Sequence, residues 1–194
     1  MALDNDLELM LRVRAGDTES FDHLLNRHRG PLVSFFFRMV HDQALAEDLA
    51  QEAFLRVYQA RNRYRPEAKF TTWLYRIATN LALNALRDRK ESNSPAMRET
   101  ERPEAETAEG LPDPKPSVEQ ALIETERARA IRQAVESLSE NQRAAVILHK
   151  YQDVDYRQIA RILEVSEPAV KSLLFRAYEN LRVRLKPLLQ GGAI

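Results

Sequence analysis

The chain has 194 residues, enough for one ordinary domain or two small ones, and its 44% hydrophobic content supports a packed core rather than disorder throughout. It holds no cysteine, which excludes disulfides, thiolate metal sites and cysteine nucleophiles and fits a reducing compartment. Net charge is zero but uneven: residues 1–55 carry 5 basic and 10 acidic residues, 56–90 carry 9 and 2, 91–117 carry 3 and 7, and 118–194 carry 12 and 10. An acidic segment beside a strongly basic one points to two partners of opposite charge preference. Leu, Ala, Arg and Glu are abundant and Gly and Pro scarce, so the chain is expected to be all-α. The start, Met1 to Asp6, is acidic and lacks the order of a signal peptide. No apolar run approaches the roughly 20 residues of a membrane span. A soluble, cytoplasmic protein without direct membrane insertion is expected.

The first readable helix starts at Asp42, an N-cap residue, and runs to about Gln59, with Glu47 and Asp48 in its early turns. Leu45, Leu49, Ala53 and Val57 recur at four-residue steps as a core stripe, leaving Asp48, Gln51 and Glu52 on an acidic, amide-rich face. A second helix is expected over Thr72 to Arg89. Phe70, Leu74, Ile77 and Leu81 form its buried stripe; Trp73, Arg76, Asn80, Asn84 and Arg87 form a second line at helical spacing.

From Glu91 to Ser117 the apolar periodicity stops, and five of the nine prolines appear among many glutamates. Such a stretch cannot bury enough apolar surface to offset its chain entropy. It reads as a flexible acidic linker (91–117) between an N-terminal domain (1–90) and a C-terminal one (118–190).

In the C-terminal domain Ser139 and Gln142 have the spacing of a capping box. Between Asp155 and Tyr178, Ile159, Ala160, Leu163, Val165, Val170 and Leu173 occupy the apolar positions of two short helices crossing at a tight turn. Ser166 is placed to cap the second of these, which is expected over Glu167 to about Leu181, with Lys171, Ser172, Phe175 and Arg176 facing outward. A helix so placed can enter a major groove; a plain αα-hairpin has the same apolar pattern. Glu164 stands at the turn position where glycine is usual.

Taken together, "AEDLAQEAFLRVY" (46–58), "FTTWLYRIATNLALNALR" (70–87) and "DYRQIARILEVSEPAVKSLLFRAYENLR" (155–182) resemble the extracytoplasmic-function (ECF) sigma factors of bacterial RNA polymerase, near the sigma-E and AlgU-like branch. The likeness covers essentially the whole chain except the linker. It implies that the chain binds core RNA polymerase and directs promoter-specific initiation in a stress or envelope response, with no catalysis and no cofactor. Asp48, Gln51 and Glu52 would then dock on core polymerase, where an acidic surface suits a basic partner.

The basic stretch would melt and read the minus-ten element through Arg61, Arg63, Tyr64, Trp73, Tyr75, Arg76, Asn80, Asn84 and Arg87. Rings and cations together hold unstacked single strand, and amides suit base edges. Lys171, Ser172, Phe175 and Arg176 would read the minus-thirty-five element. Leu173 replaces an arginine of close relatives, so the preferred promoter sequence is expected to differ. The resemblance further implies an anti-sigma factor as a partner, and no small-molecule substrate.

A stand-alone helix-turn-helix regulator is the alternative, but it leaves the motifs of 46–87 without a role. Against an enzyme, His23, His28, His41 and His149 lack metal-ligand spacing, and neither a glycine-rich phosphate loop nor a nucleophile elbow occurs.

Overall fold

A computed structural model describes residues 5–92 and 118–190, which form eight α-helices, with no strand among the described residues. The first lobe comprises α1 (Asn5–Arg14), α2 (Thr18–Val40), α3 (Gln43–Gln59), a short 3-10 turn (Arg61–Arg63) and α4 (Phe70–Ser92). The second comprises α5 (Val118–Glu136), α6 (Glu140–Tyr151), α7 (Tyr156–Leu163) and α8 (Glu167–Gln190). The 91–117 stretch read as a linker begins inside α4, which continues to Ser92. The rest of it, 93–117, lies outside the described residues.

Local chemistry explains several helix ends. Asp17 and Asp42 accept hydrogen bonds from the backbone N–H groups of Ser20 and Leu45, at 3.2 and 3.0 Å, and so cap α2 and α3. Both Ser139–Gln142 and Asp155–Gln158 form complete capping boxes at α6 and α7. The Ser166 hydroxyl accepts from Ala169 N–H at 3.3 Å at the start of α8. Two helices end on non-glycine residues in the left-handed region, His41 (φ 54°) after α2 and Glu164 (φ 55°) after α7. Helix α8 runs nine residues past the expected Leu181, to Gln190, through a Leu- and Arg-rich stretch of high helix propensity.

The first lobe packs large rings: Phe35, Phe36 and Phe70 are fully buried beside Leu24, Leu32 and Leu74. The second packs smaller aliphatics around Ile147, Leu148, Ile159 and Ile162. The two cores are continuous, because α6 lies on α2 and α7 lies on α4.

Polar contacts mark that junction. Arg143 of α6 is buried and donates to the carbonyls of Met39 (2.8 Å) and Glu136 (2.6 Å), tying the end of α2 to the end of α5. Burial lowers its pKa, opposed by Glu136 and Glu140. The Arg38 guanidinium lies 4.1 Å over the Tyr151 ring. The Tyr75 hydroxyl donates to the Gln152 side-chain oxygen, Lys90 pairs with Glu140, and Arg161 donates to the Glu67 carbonyl.

Candidate nucleic-acid interface

Three surfaces carry the residues singled out in the sequence. On α3, Asp48 and Gln51 are exposed, while Glu52 is half-buried and bound to Arg56 one turn on, at 2.7 Å. Beside them a groove of about 640 Å³ runs between α2 and α3, lined by Phe21, Leu25, Val33, Phe54 and Tyr58. Leu55 also lines it and is 51% exposed. The groove escaped sequence reasoning; its one signal is Leu55, an apolar residue on the otherwise polar side of α3. An apolar trough with an acidic rim suits a partner helix that is apolar on one face and basic at its edge.

On α4 the expected line exists. Arg76, Asn80, Asn84 and Arg87 are exposed on one face, and Trp73 begins it, half-buried. Of the three aromatic rings expected to hold DNA, only Trp73 is open to solvent. Tyr64 is 2% exposed and lies 5.0 Å beneath the Trp73 ring, wedged also against Phe70. Tyr75 is 5% exposed, packs edge-on against Phe35 and bonds Gln152 of the second lobe; burial raises its pKa. Both rings therefore belong to the core and junction in this packed arrangement, where neither is open to stack on a base. Helix periodicity explains it: Tyr75 lies one turn from the buried Thr72, Ala78 and Thr79 and faces inward, whereas Trp73 lies one turn from the exposed Arg76, at the boundary. Arg61 is engaged with Tyr58, 4.2 Å over its ring and 2.9 Å from its carbonyl. Arg63 stays exposed on the turn leading to α4.

On α8, Lys171, Ser172, Phe175 and Arg176 are all exposed and together line a shallow depression of about 430 Å³ near the helix start. Phe175 is 68% exposed, unusual for so large an apolar side chain, with no neighbour covering it among the described residues. The Ser172 hydroxyl donates back to the Pro168 carbonyl at 3.1 Å, and Arg176 Nε donates to the Ser172 carbonyl at 3.3 Å. Helix α7 crosses behind, so the α7–α8 pair has helix-turn-helix form, with Glu164 in the turn. The apolar positions behave as expected: Ile159, Ala160 and Val170 are buried, and Leu163, Val165 and Leu173 partly so.

A basic helical line with one open ring, a helix-turn-helix and an acidic edge beside an apolar groove suit a DNA-binding factor that also engages a protein machine. Comparison with known proteins agrees. Residues 24–92 match the model of sigma-70 region 2, and residues 128–181 match that of sigma-70 region 4. The chain is 35% identical to RNA polymerase sigma-H factor of Pseudomonas aeruginosa over 96% of its own length and 97% of the relative's. It is 35% identical to RNA polymerase sigma factor CarQ of Myxococcus xanthus, over 92% and 97%, and 32% identical to ECF RNA polymerase sigma-E factor of Escherichia coli, over 95% and 96%.

Two solved structures share the fold. CnrH, solved with the cytosolic domain of CnrY, has a TM-score of 0.68 at 20% identity, covering 98% of this chain and all of that one. The sigma factor RpoE of Bartonella quintana, solved with the anti-sigma factor NepR, has a TM-score of 0.65 at 22%, covering 87% and 98%. The chain belongs to the extracytoplasmic-function sigma factors, the initiation factors that bind bacterial RNA polymerase and direct it to particular promoters. Among the described residues no cluster of His, Asp and Glu could hold a metal ion, and no helix is long and apolar enough to cross a membrane.

Proposed function

We propose that the three surfaces divide the work of initiation. Asp48, Gln51 and Glu52, with the apolar groove beside them, dock on core polymerase. The α4 line holds the opened minus-ten strand: Trp73 stacks on an unstacked base with Tyr64 as its support. Arg61, Arg63, Arg76 and Arg87 meet the backbone, and Asn80 and Asn84 meet base edges. Lys171, Ser172, Phe175 and Arg176 read the minus-thirty-five duplex from the major groove. The chain contributes no covalent chemistry, which the polymerase supplies, and it works in the cytoplasm, where that polymerase is. A role in a stress response follows the names of its sigma-E relatives.

The observation that carries this reading is the co-alignment of Trp73, Arg76, Asn80, Asn84 and Arg87 along one face of α4. At about 3.4 Å per base pair, elements roughly 25 base pairs apart are separated by about 85 Å. A compact chain of this length has a radius of gyration of about 16 Å. The packed lobes therefore cannot serve both elements at once, and they separate on the promoter. An anti-sigma factor, such as accompanies the RpoE neighbour, would act by keeping them together.

Two measurements test the proposal. Mixed with core polymerase in the absence of DNA, the chain should co-elute on size exclusion, and Asp48→Ala with Gln51→Ala should weaken that complex. In the assembled holoenzyme, Asn80→Ala should impair promoter opening, read by single-strand-specific footprinting, while protection of the upstream element persists. Normal opening in that variant would remove α4 from strand capture.

A further inference from the structure

Between the lobes lies a cavity of about 500 Å³, walled by Arg63, Arg65, Thr72, Trp73 and Arg76 of the first lobe and by Arg161 of the second. Four guanidinium groups thus face one space, and among the described residues Glu67 is the single carboxylate lining it. That carboxylate does little to neutralise them. Its contact with Arg65 is 3.9 Å long, with both side chains about four-fifths exposed. Arg161 gives one N–H to the Glu67 carbonyl at 3.4 Å, and the guanidinium groups of Arg63 and Arg76 make no hydrogen bond or ion pair among the described residues. Like charges gathered around a concave space raise a positive potential that a multiply charged anion relieves. The arginine fork suits phosphate oxygens in particular.

An aromatic residue, Trp73, also lines the cavity, its ring braced from behind by Tyr64 at 5.0 Å. A planar heterocycle stacks well on such a ring. The volume is in the range of ordinary small-molecule sites, roughly 300–1,000 Å³.

We infer that this cavity binds a free nucleotide carrying two or more phosphates, its base against Trp73 and its phosphates among Arg63, Arg65, Arg76 and Arg161. Arg161 reaches the cavity only while α7 lies on α4, so the ligand binds the packed form better than the separated one. By that difference it holds the lobes together. It also occupies the Trp73–Arg76 end of the α4 line, so it competes with promoter strand. A single strand held by α4 in the separated form needs nothing from Arg161, which distinguishes the two ligands.

The test titrates GTP, without magnesium, into the full-length chain by isothermal calorimetry. Saturable binding that weakens with added salt is expected. Arg161→Ala, a substitution at an exposed residue outside the core, should weaken it about tenfold, the effect of losing a charge-assisted hydrogen bond. Trp73→Leu should weaken GTP but leave inorganic tripolyphosphate nearly unchanged. Absence of saturable GTP binding would overturn the inference. So would equal affinity in Arg161→Ala, which would assign the nucleotide to the single-strand face alone. Tripolyphosphate binding as tightly as GTP would remove the base from the site and overturn it equally.

Discussion

The two surfaces proposed to meet nucleic acid are built alike, each a line of polar side chains with one large ring along a helix, yet they differ in what surrounds them. The α8 surface is open along its length, with Phe175 68% exposed. The α4 surface begins at the junction: Trp73 is half-buried and, with Arg76, shares a cavity with Arg161, and the neighbouring Tyr75 is held by Gln152. Packing therefore restricts the outward face of α4 while leaving that of α8 accessible. Under the proposed roles, contact with duplex precedes capture of single strand.

The largest test of this contrast removes the tie between the lobes. Arg143→Ala deletes a buried guanidinium that satisfies two carbonyls, Met39 O and Glu136 O, on opposite sides of the junction. Loss of a buried charged partner with two hydrogen bonds should cost about 3 kcal/mol. The expected outcome is a larger radius of gyration by small-angle scattering and separate melting of the lobes. A variant as compact as the parent would show that the apolar contact of α7 with α4 suffices.

Acid should act at the same place with a smaller effect. His41 is held neutral to about pH 4, first by burial and then by Arg143, Arg132 and Arg38, with Glu136 at 3.6 Å facing it. When exposed it protonates near 6.5. Above pH 6.5 both states are neutral and the contact contributes in full. Between 6.5 and about 4 the exposed form takes up a proton that the packed form refuses, so stability falls as pH falls. A loss of ~2 kcal/mol between pH 7 and 4 is expected by chemical denaturation. His41→Asn tolerates the left-handed backbone and should lose much of this dependence.

These two tests concern what the sequence did not reveal. Helices α3 and α4 and the helix-turn-helix were legible because their signals are local: caps three residues apart, apolar stripes at helical steps, a turn between two short helices. The α6 capping box was legible for the same reason. The junction was not, because its contacts join residues far apart in the chain; Tyr75 and Gln152 are 77 positions apart, and Arg143 and Met39 are 104. One signal existed, an arginine heading the otherwise apolar run Arg143–Leu148, where a charge is buried only with partners. The burial of Tyr64 and Tyr75 in the packed arrangement was not legible either, because composition cannot separate a ring that packs from one that stacks on a base.

Tyr75→Phe sharpens that last point at a cost of about 1 kcal/mol in the free chain, the typical worth of one hydrogen bond. It removes the hydroxyl that reaches Gln152 and keeps the ring against Phe35. Thermal melting of the free chain should drop by a few degrees, while promoter opening in holoenzyme stays at the parent level. Impaired opening would return the Tyr75 hydroxyl to the DNA site.

The smallest expected effect lies in the helix-turn-helix, where each lobe's handling of a helix end can be compared. Both α2 and α7 end on a non-glycine residue at positive φ, His41 and Glu164. His41 is half-buried among the junction arginines and has a side-chain role, so glycine there trades strain for lost contacts. Glu164 is exposed, and its backbone N–H already closes the turn onto the Ala160 carbonyl. Glu164→Gly should thus relieve left-handed strain of about 1 kcal/mol, partly offset by the greater freedom of glycine in the unfolded chain. A net gain of about 0.5 kcal/mol in thermal stability is expected, with affinity for upstream duplex unchanged because α8 keeps its orientation. Weaker duplex binding at higher stability would instead mean that the Glu164 side chain itself takes part in reading DNA.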